Sequence, residues 1–236
     1  MIIKSQILKK IYVICLFFLF CLPSYSSDLQ KDLITLENYL NSFENMSFVF
    51  EQSDNNQKEI GWMLLQKPDK LRIEYEGDND LIIIANTSYL ILYKAKDDII
   101  TSLSNTGPWN LLTKKNIKIT TNLNDKYANV YLEATRHFSM KENNYIIYYI
   151  YMKDESGQFN IPILLNTSLN PFKIEGWEIS NNSDQISVKV IEVLKLNEEI
   201  ISSDMFFLSE KNREEGNVWL SPFKKDNIIR RPEYRN

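Results

Sequence analysis

The chain has 236 residues and carries 27 Lys and Arg against 31 Asp and Glu, a net charge of −4. This mildly acidic balance argues against a nucleic-acid partner, because nucleic-acid binding rests on neutralising phosphates with Lys and Arg. The two cysteines, the single His137 and the six glycines form no grouped metal ligands, catalytic triad or phosphate-binding loop. The composition therefore predicts a protein that is not an enzyme and needs no cofactor or metal.

The first 26 residues have the pattern of a secretory signal peptide. A basic start precedes the apolar run 11–22, which is shorter than the roughly 20 residues of a membrane span. Residues 24–26 give the small-x-small pattern at which such peptides are cleaved. Phe20 before Cys21 does not fit a lipoprotein signal. We therefore expect residues 1–26 to be removed and the mature chain to be exported without a lipid anchor.

An amphipathic helix is predicted at the start of the mature chain. Its apolar residues recur at intervals of three and four, which places them on one helical face. They are Leu29, Leu33, Leu36, Leu40 and Phe43. We expect this helix to cover one face of a sheet.

After the helix the apolar period changes to two, which predicts about eleven strands. They are residues 46–50, 60–65, 70–75, 81–85, 89–93, 99–103, 129–138, 144–153, 158–166, 172–180 and 185–196. Because no helical stretch between them is long enough for parallel crossovers, the class is mainly β and antiparallel. Several strands are apolar on both faces, which fits either an ordinary two-sided core or a sheet with one face lining a hollow.

Residues 106–113 interrupt the strand series. Thr106 can cap a helix, Pro108 is tolerated in a first turn, and the residues after it give one apolar side. The pattern fits either a short helix or an ordinary surface turn.

Residues 209–236 form a charged C-terminal tail, with residues 218–220 as an apolar stretch that could dock on the sheet. Its end is basic, through Lys224, Lys225, Arg230, Arg231 and Arg235. This end fits either a solvated terminus or a contact with anionic head groups.

The stretch 61–75 resembles the signature of the outer-membrane lipoprotein carrier family LolA. It starts with Gly61, continues with an apolar strand and a basic corner at Lys67-Pro68, and ends in an alternating strand. The resemblance extends over about residues 28–208, and the order and spacing of its motifs carry it. It implies a carrier domain at residues 27–208.

The resemblance implies an unclosed antiparallel half-barrel whose concave apolar face is covered by the N-terminal helix and a short lid helix. It also implies a monomeric periplasmic carrier of acylated lipoproteins. Such carriers receive cargo from an inner-membrane exporter (LolCDE-like) and pass it to the outer membrane, often through a LolB-like acceptor. A LolB-like acceptor and an RseB-like lipoprotein sensor are the alternatives on the same half-barrel.

The resemblance also suggests which residues form the site. The candidate cavity wall comprises Phe48, Phe50, Trp62, Leu64, Leu71, Ile73, Tyr75, Ile82, Ile84, Leu90 and Leu92. The candidate lid residues are Pro108, Trp109, Leu111 and Leu112. Lys67 stands where the family often has an Arg that latches the lid, so we expect a weaker latch. Which face of each strand looks inward depends on a register that shifts with a single residue.

Overall fold

The computed structural model describes residues 25–54, 57–76, 81–87, 89–103, 107–154, 156–181, 184–197, 201–214, 218 and 220. Most of the predicted signal peptide, Thr106 and the basic end of the tail lie outside these residues. The chain divides into two units, residues 1–32 and 33–236, and the second carries the sheet. Among the described residues, no helix is both long and apolar enough to cross a membrane.

Twelve strands form one continuous sheet. In chain order they are β1 (Asn45–Asp54), β2 (Gln57–Gln66), β3 (Lys70–Tyr75), β4 (Leu81–Ala85), β5 (Leu90–Lys94), β6 (Ile99–Leu103), β7 (Ile119–Thr120), β8 (Val130–Met140), β9 (Asn143–Lys153), β10 (Phe159–Leu169), β11 (Phe172–Asn181) and β12 (Asp184–Leu196). Their order in the sheet is β6-β5-β4-β3-β2-β1-β12-β11-β10-β9-β8-β7, with β6 and β7 at the two edges. The predicted unclosed, mainly β fold is confirmed.

One strand pair departs from the antiparallel prediction. All eleven predicted strands are present, and neighbouring ones pair antiparallel. The twelfth strand, β7, pairs in parallel with β8. It has two residues, too few to produce the alternation by which a strand is predicted.

The sheet is strongly curved. Leu71 on β3 and Ile163 on β10 line the same cavity, although five strand steps separate them. In a flat sheet that separation would be roughly 24 Å, at about 4.8 Å per strand. Register shifts at Ser47/Phe48 and Val49/Phe50 mark bulges in the central pair β1–β12, and bulges bend and twist a sheet. We call the face with the cavity the concave face and the opposite one the outer face.

Helix α1 spans Tyr25–Asn41, and its part from Leu33 on supplies part of the concave cover. The predicted apolar residues of its second half, Leu33, Leu36 and Leu40, are buried, as is Phe43 just after its end. Tyr39 packs edge-on against Phe172 of β11, with ring centroids 5.0 Å apart. The spacing of apolar residues therefore predicted the buried side of α1 correctly from Leu33 on.

The outer face has a cover of its own, which we call the C-terminal segment (residues 201–214, 218 and 220). It contains a 3₁₀ turn, Ser203–Phe206, and the short helix α3, Glu210–Glu214. Phe206 packs on Trp62 and Leu64. Val218 packs on Ile82 and Ile84, and Leu220 lies against the Trp62 cluster, so the expected docking of residues 218–220 is present at these two residues.

Candidate functional site

The concave face of the first half of the sheet is a continuous apolar floor. Directly paired residues on antiparallel strands project to the same face. One row of paired residues runs Leu65, Leu71, Ala85, Leu90 across β2 to β5, and the next runs Phe48, Met63, Ile73 across β1 to β3. Because Met63 and Leu71 line the cavity, both rows belong to the concave face.

The predicted wall residues divide between the two faces. Strand pairing places seven of them on the concave face: Phe48, Phe50, Leu71, Ile73, Tyr75, Leu90 and Leu92. The other four lie on the outer face, where they pack under the C-terminal segment: Trp62, Leu64, Ile82 and Ile84. Both faces of β2 and β4 are apolar because both are covered, and sequence alternation alone cannot tell such faces apart.

The second half of the sheet supplies wall residues that the sequence analysis missed. Ile163 and Leu165 of β10 and Trp177 of β11 line the same cavity as Met63 and Leu71. The alternation of Ile163 and Leu165 was the available signal, but only the curvature of the sheet brings them opposite β3. Trp177 also lies edge-on to Phe48, with ring centroids 6.2 Å apart.

Gly61 makes room for an aromatic wall. A Cβ at Gly61 would collide with the ring of Phe50, the residue that pairs with it on β1. The Phe50 ring in turn lies edge-on to Tyr75, 5.6 Å between centroids. The Tyr75 hydroxyl donates to Gln52 Oε1 at 2.8 Å, and burial raises the pKa of Tyr75, so the phenol stays neutral.

A short lid, residues 107–113, fills the hollow. Its helix α2 (Asn110–Thr113) follows the turn at Gly107, where a Cβ would collide with the Trp109 ring. Leu111 and Leu112 are buried, and they line the cavity together with Pro108 and Trp109. The four predicted lid residues therefore lie together against the concave floor. Of the two patterns left open for this segment, the structure has the short helix.

The closed lid leaves almost no free space. The cavity between the lid and the floor has a volume of about 10 Å³. That is room for about one water molecule at most. This cavity therefore has no room for an acyl chain beside the lid, and a ligand of that size has to displace the lid side chains to occupy it.

Lys67 holds the end of helix α1 rather than the lid. Its Nζ donates to the carbonyl oxygen of Leu40 and lies 3.9 Å from the centroid of the Phe43 ring. The main chain of the same corner bonds to the lid instead, because Asp69 N donates to Thr113 O at 2.9 Å. The Lys67 side chain therefore bonds the last turn of α1 and not, as predicted, the lid backbone. The corner between β2 and β3 directs its ammonium toward that turn.

The Lys67 ammonium is buried, and burial lowers its pKa to about 8. The carboxylate of Glu44 raises the pKa and the ammonium of Lys115 lowers it, each by less than burial does. Helix α1 is tied further by Asn41, whose side chain bonds both the N–H and the C=O of Ile117, at 2.9 and 2.8 Å. Lys67 and Asn41 therefore hold the end of α1 beside the chain that leaves the lid.

The outer face is anchored by a buried ion pair. Arg72 Nε donates to Glu74 Oε1 at 2.6 Å, and both side chains are almost wholly buried. Arg72 also donates to the carbonyl oxygens of Met205 and Val218, and Leu220 N donates to Glu74 at 2.9 Å. Burial lowers the pKa of Arg72 and Glu74 raises it, but a guanidinium stays protonated in proteins.

The side chains around the cavity are apolar and suit an apolar ligand. Among the described residues, no group of three or more His, Cys, Asp or Glu is placed to hold a metal ion. His137 lies exposed on β8, away from the residues that line the cavity.

The family profile of the outer membrane lipoprotein carrier protein LolA matches residues 41–209, more than half of the chain. This chain belongs to the LolA family. The resemblance inferred from sequence is therefore confirmed, and carriers of this kind are not enzymes. The match includes the concave floor of the first half of the sheet, the lid, Lys67 and the C-terminal segment as far as residue 209.

Two solved structures show a distant similarity to this chain. A LolA superfamily protein, NE2245 from Nitrosomonas europaea, is 8% identical with a TM-score of 0.41, over 75% of this LolA chain and 97% of that one. A DUF1329 family protein from Desulfovibrio piger is 9% identical with a TM-score of 0.41, over 75% and 95%. Neither similarity carries an argument about function.

A curated relative matches part of the sequence. Over 141 residues the chain is 25% identical to RING finger protein PFE0100w of Plasmodium falciparum. The match spans 57% of this chain and 11% of that protein, and nothing about the LolA chain follows from it.

Proposed function

We propose that this LolA-family protein is a periplasmic carrier that shields the acyl chains of lipoproteins between the inner and the outer membrane. The observation that carries the proposal is the apolar concave floor filled by an apolar lid. Leu111 and Leu112 occupy the place that a lipid would take, and the lid touches wall residues from both halves of the sheet.

The free energies gained by burying the lid and by burying an acyl chain support reversible binding. Burying two leucines contributes roughly 3–6 kcal/mol, and Trp109 and Pro108 add to it. One acyl chain of ~16 carbons gains about 12 kcal/mol at roughly 0.8 kcal/mol per methylene. A chain can therefore displace the lid, while the cost of displacement lowers the net affinity. Such a balance suits a carrier that has to release its cargo.

The proposed partners follow from the family. Cargo would come from an inner-membrane exporter of the LolCDE kind and pass to the outer membrane, through a LolB-like acceptor where one exists. An acceptor or a sensor built on the same fold would also bind acyl chains. Depletion separates these roles, because loss of the carrier should leave lipoproteins in the inner membrane, whereas loss of an acceptor should first leave them bound to the carrier.

Co-purification tests the proposal directly. We expect the tagged protein, isolated from the periplasm, to carry triacylated proteins detectable by mass spectrometry, whereas a hydrolase would return cleaved products. Leu165→Gln places an amide in the cavity, and the matched control Leu164→Gln changes the neighbouring residue on the opposite face of β10. Cargo should be lost in the first variant and kept in the second, with thermal melting as the check on folding. Equal cargo in both would contradict the assigned cavity.

A further inference from the structure

The apolar floor continues beyond the lid to the edge of the sheet. The row that starts at the cavity residue Leu71 passes Ala85 and Leu90 and ends at Leu103 on the edge strand β6. The exposed fraction rises from 0% at Leu71 to 3% at Leu90 and 49% at Leu103. The concave side of β4 to β6 is therefore a strip that is buried at one end and open at the other.

A second and a third row give the same strip its width. Ile73 pairs with Ile83, and Ile83 pairs with Leu92, whose side chain is half-buried. This row ends at a polar residue, Thr101, on β6. The third row ends at Ile99, which is 50% exposed and pairs with Lys94. Among the residues that the structure describes, Lys94 is the one charged residue on this strip.

Edge strand β6 lacks the usual protection of an edge. Natural edge strands carry charges, prolines or bulges that prevent pairing with other chains. The sequence of β6 is Ile-Ile-Thr-Ser-Leu, without a charge or a proline, and all five residues are exposed. An edge of this kind can pair with another strand, while its side chains place no charge at the open end of the apolar strip.

We propose that the concave strip of β4–β6 is the path along which an acyl chain enters the cavity; this inference rests on the proposed carrier function. A saturated chain needs continuous apolar contact, because each methylene exposed to water loses about 0.8 kcal/mol. The row from Leu103 through Leu90 and Ala85 provides such contact from β6 to the cavity at Leu71 without a break. A chain lying on it reaches Leu103, and the lid begins only four residues later, at Gly107.

The attachments of the lid agree with entry from this side. The far end of the lid is bonded to the β2–β3 corner through Thr113 and Asp69. Ile117, just beyond the lid, is bonded on both sides by Asn41. A chain that advances from β6 therefore meets the lid at the end opposite these bonds.

Edge strand β6 offers a matched pair of substitutions. Leu103 and Ile100 are 49% and 44% exposed, but they project to opposite faces because Leu103 pairs with Leu90 and Ile100 with Tyr93. Asp at position 103 places a carboxylate on the path opposite an apolar residue, and Asp at position 100 places the same charge on the outer face. Leu103 is half exposed, so the sheet should tolerate the charge.

Stopped-flow fluorescence measures the rate at which a fluorescent triacylated cysteinyl peptide loads. The signal is energy transfer from the tryptophans of the cavity to the fluorophore of the peptide. The variant Leu103→Asp should load at least about tenfold more slowly, since a desolvated carboxylate is costly beside a hydrocarbon chain. Ile100→Asp should load within about twofold of the unmodified protein. Leu103→Ser, with no new charge, should give an intermediate rate, and circular dichroism verifies that each variant is folded.

Three results would overturn the inference. Equal loading by Leu103→Asp and the unmodified protein would remove the path and leave the carrier function standing. No loading by the unmodified protein would remove the carrier function as well. Sedimentation that shows a dimer of the unmodified protein and a monomer of Leu103→Asp would make the strip a contact between two copies.

Discussion

The two faces of one sheet carry two covers that are attached in different ways. On the concave face the lid contributes apolar side chains, Leu111 and Leu112, and its end accepts a main-chain bond from Asp69 to Thr113. On the outer face the C-terminal segment is held by the buried pair Arg72–Glu74 and by bonds to its main chain. The lid can therefore be exchanged for another apolar body, whereas the C-terminal segment is fixed by bonds that a lipid cannot replace.

The difference shows how a sheet that is apolar on both sides can keep one side for a ligand. If the outer face lost its cover, Trp62 and Ile82 would become a second apolar surface in competition with the cavity. A cover with oriented polar bonds excludes lipid from that surface. The same number of apolar contacts without such bonds would leave two sites of similar affinity.

The largest expected effect is on the outer cover. Arg72→Met leaves the Glu74 carboxylate buried without its cation, and we expect a loss of about 3–5 kcal/mol in the free energy of unfolding. Denaturant titration measures the loss. In the double variant Arg72→Met/Glu74→Leu no charge remains buried, so the loss should be smaller than in the single variant.

One result would contradict this difference between the two covers. If Arg72→Met unfolds at the same denaturant concentration as the unmodified protein, the ion pair does not fix the C-terminal segment. An exposed pair provides the control: Lys58→Met removes the partner of Glu51 on the surface, and such pairs contribute about 0–1 kcal/mol.

A second prediction concerns pH and the concave cover. The pKa of Lys67 is about 8 in the folded protein against an ordinary value of 10.5. Between these pH values the unfolded chain binds more protons, so the free energy of unfolding from this group rises with pH, by up to roughly 3 kcal/mol. Relative to Lys67→Met, the unmodified protein should gain stability between pH 8 and about 10.5.

Denaturant titrations of both proteins at several pH values measure this gain, and other titrating groups cancel in the difference. A constant difference across this range would show that the ammonium is not buried at the corner. Arg72 should add no such step, since its guanidinium stays charged throughout.

The smallest expected effect is on ligand affinity. Trp109→Ala removes part of the lid from the cavity and lowers the cost of opening by about 1–2 kcal/mol, which corresponds to roughly tenfold tighter binding of a triacylated peptide. Equilibrium titration measures the affinity, and Trp62→Phe on the outer face serves as the control with unchanged affinity. Weaker binding by Trp109→Ala would mean that this indole holds the ligand instead of competing with it.

The sequence predicted eleven of the twelve strands and the buried side of α1 from Leu33 on, because these follow from local periodicity and turn chemistry. The four lid residues came from the family resemblance, because the local pattern fitted a surface turn equally well. It could not assign the faces of β2 and β4, since Trp62 and Met63 are equally apolar and each face has a cover. The anchoring role of Arg72 was also hidden, because its partners Met205 and Val218 lie 133 and 146 residues away along the chain.

Tertiary geometry likewise determines which carbonyl group the Lys67 side chain contacts. The basic residue before Pro68 suggested a latch on the lid, but the direction of the corner relative to α1 determines which carbonyl lies within reach. That direction depends on how the curved sheet places β2 against α1. A sequence pattern over a few residues does not contain this information.

Hydrogen exchange with and without a triacylated peptide tests the central claim most directly. The main-chain amides of Leu112 and Thr113, which donate to Trp109 O in the closed lid, should lose protection when the peptide binds. The amide of Leu220, which donates to Glu74, should keep the same protection. Saturating peptide that leaves the lid amides protected, or that exposes Leu220 instead, would contradict the account.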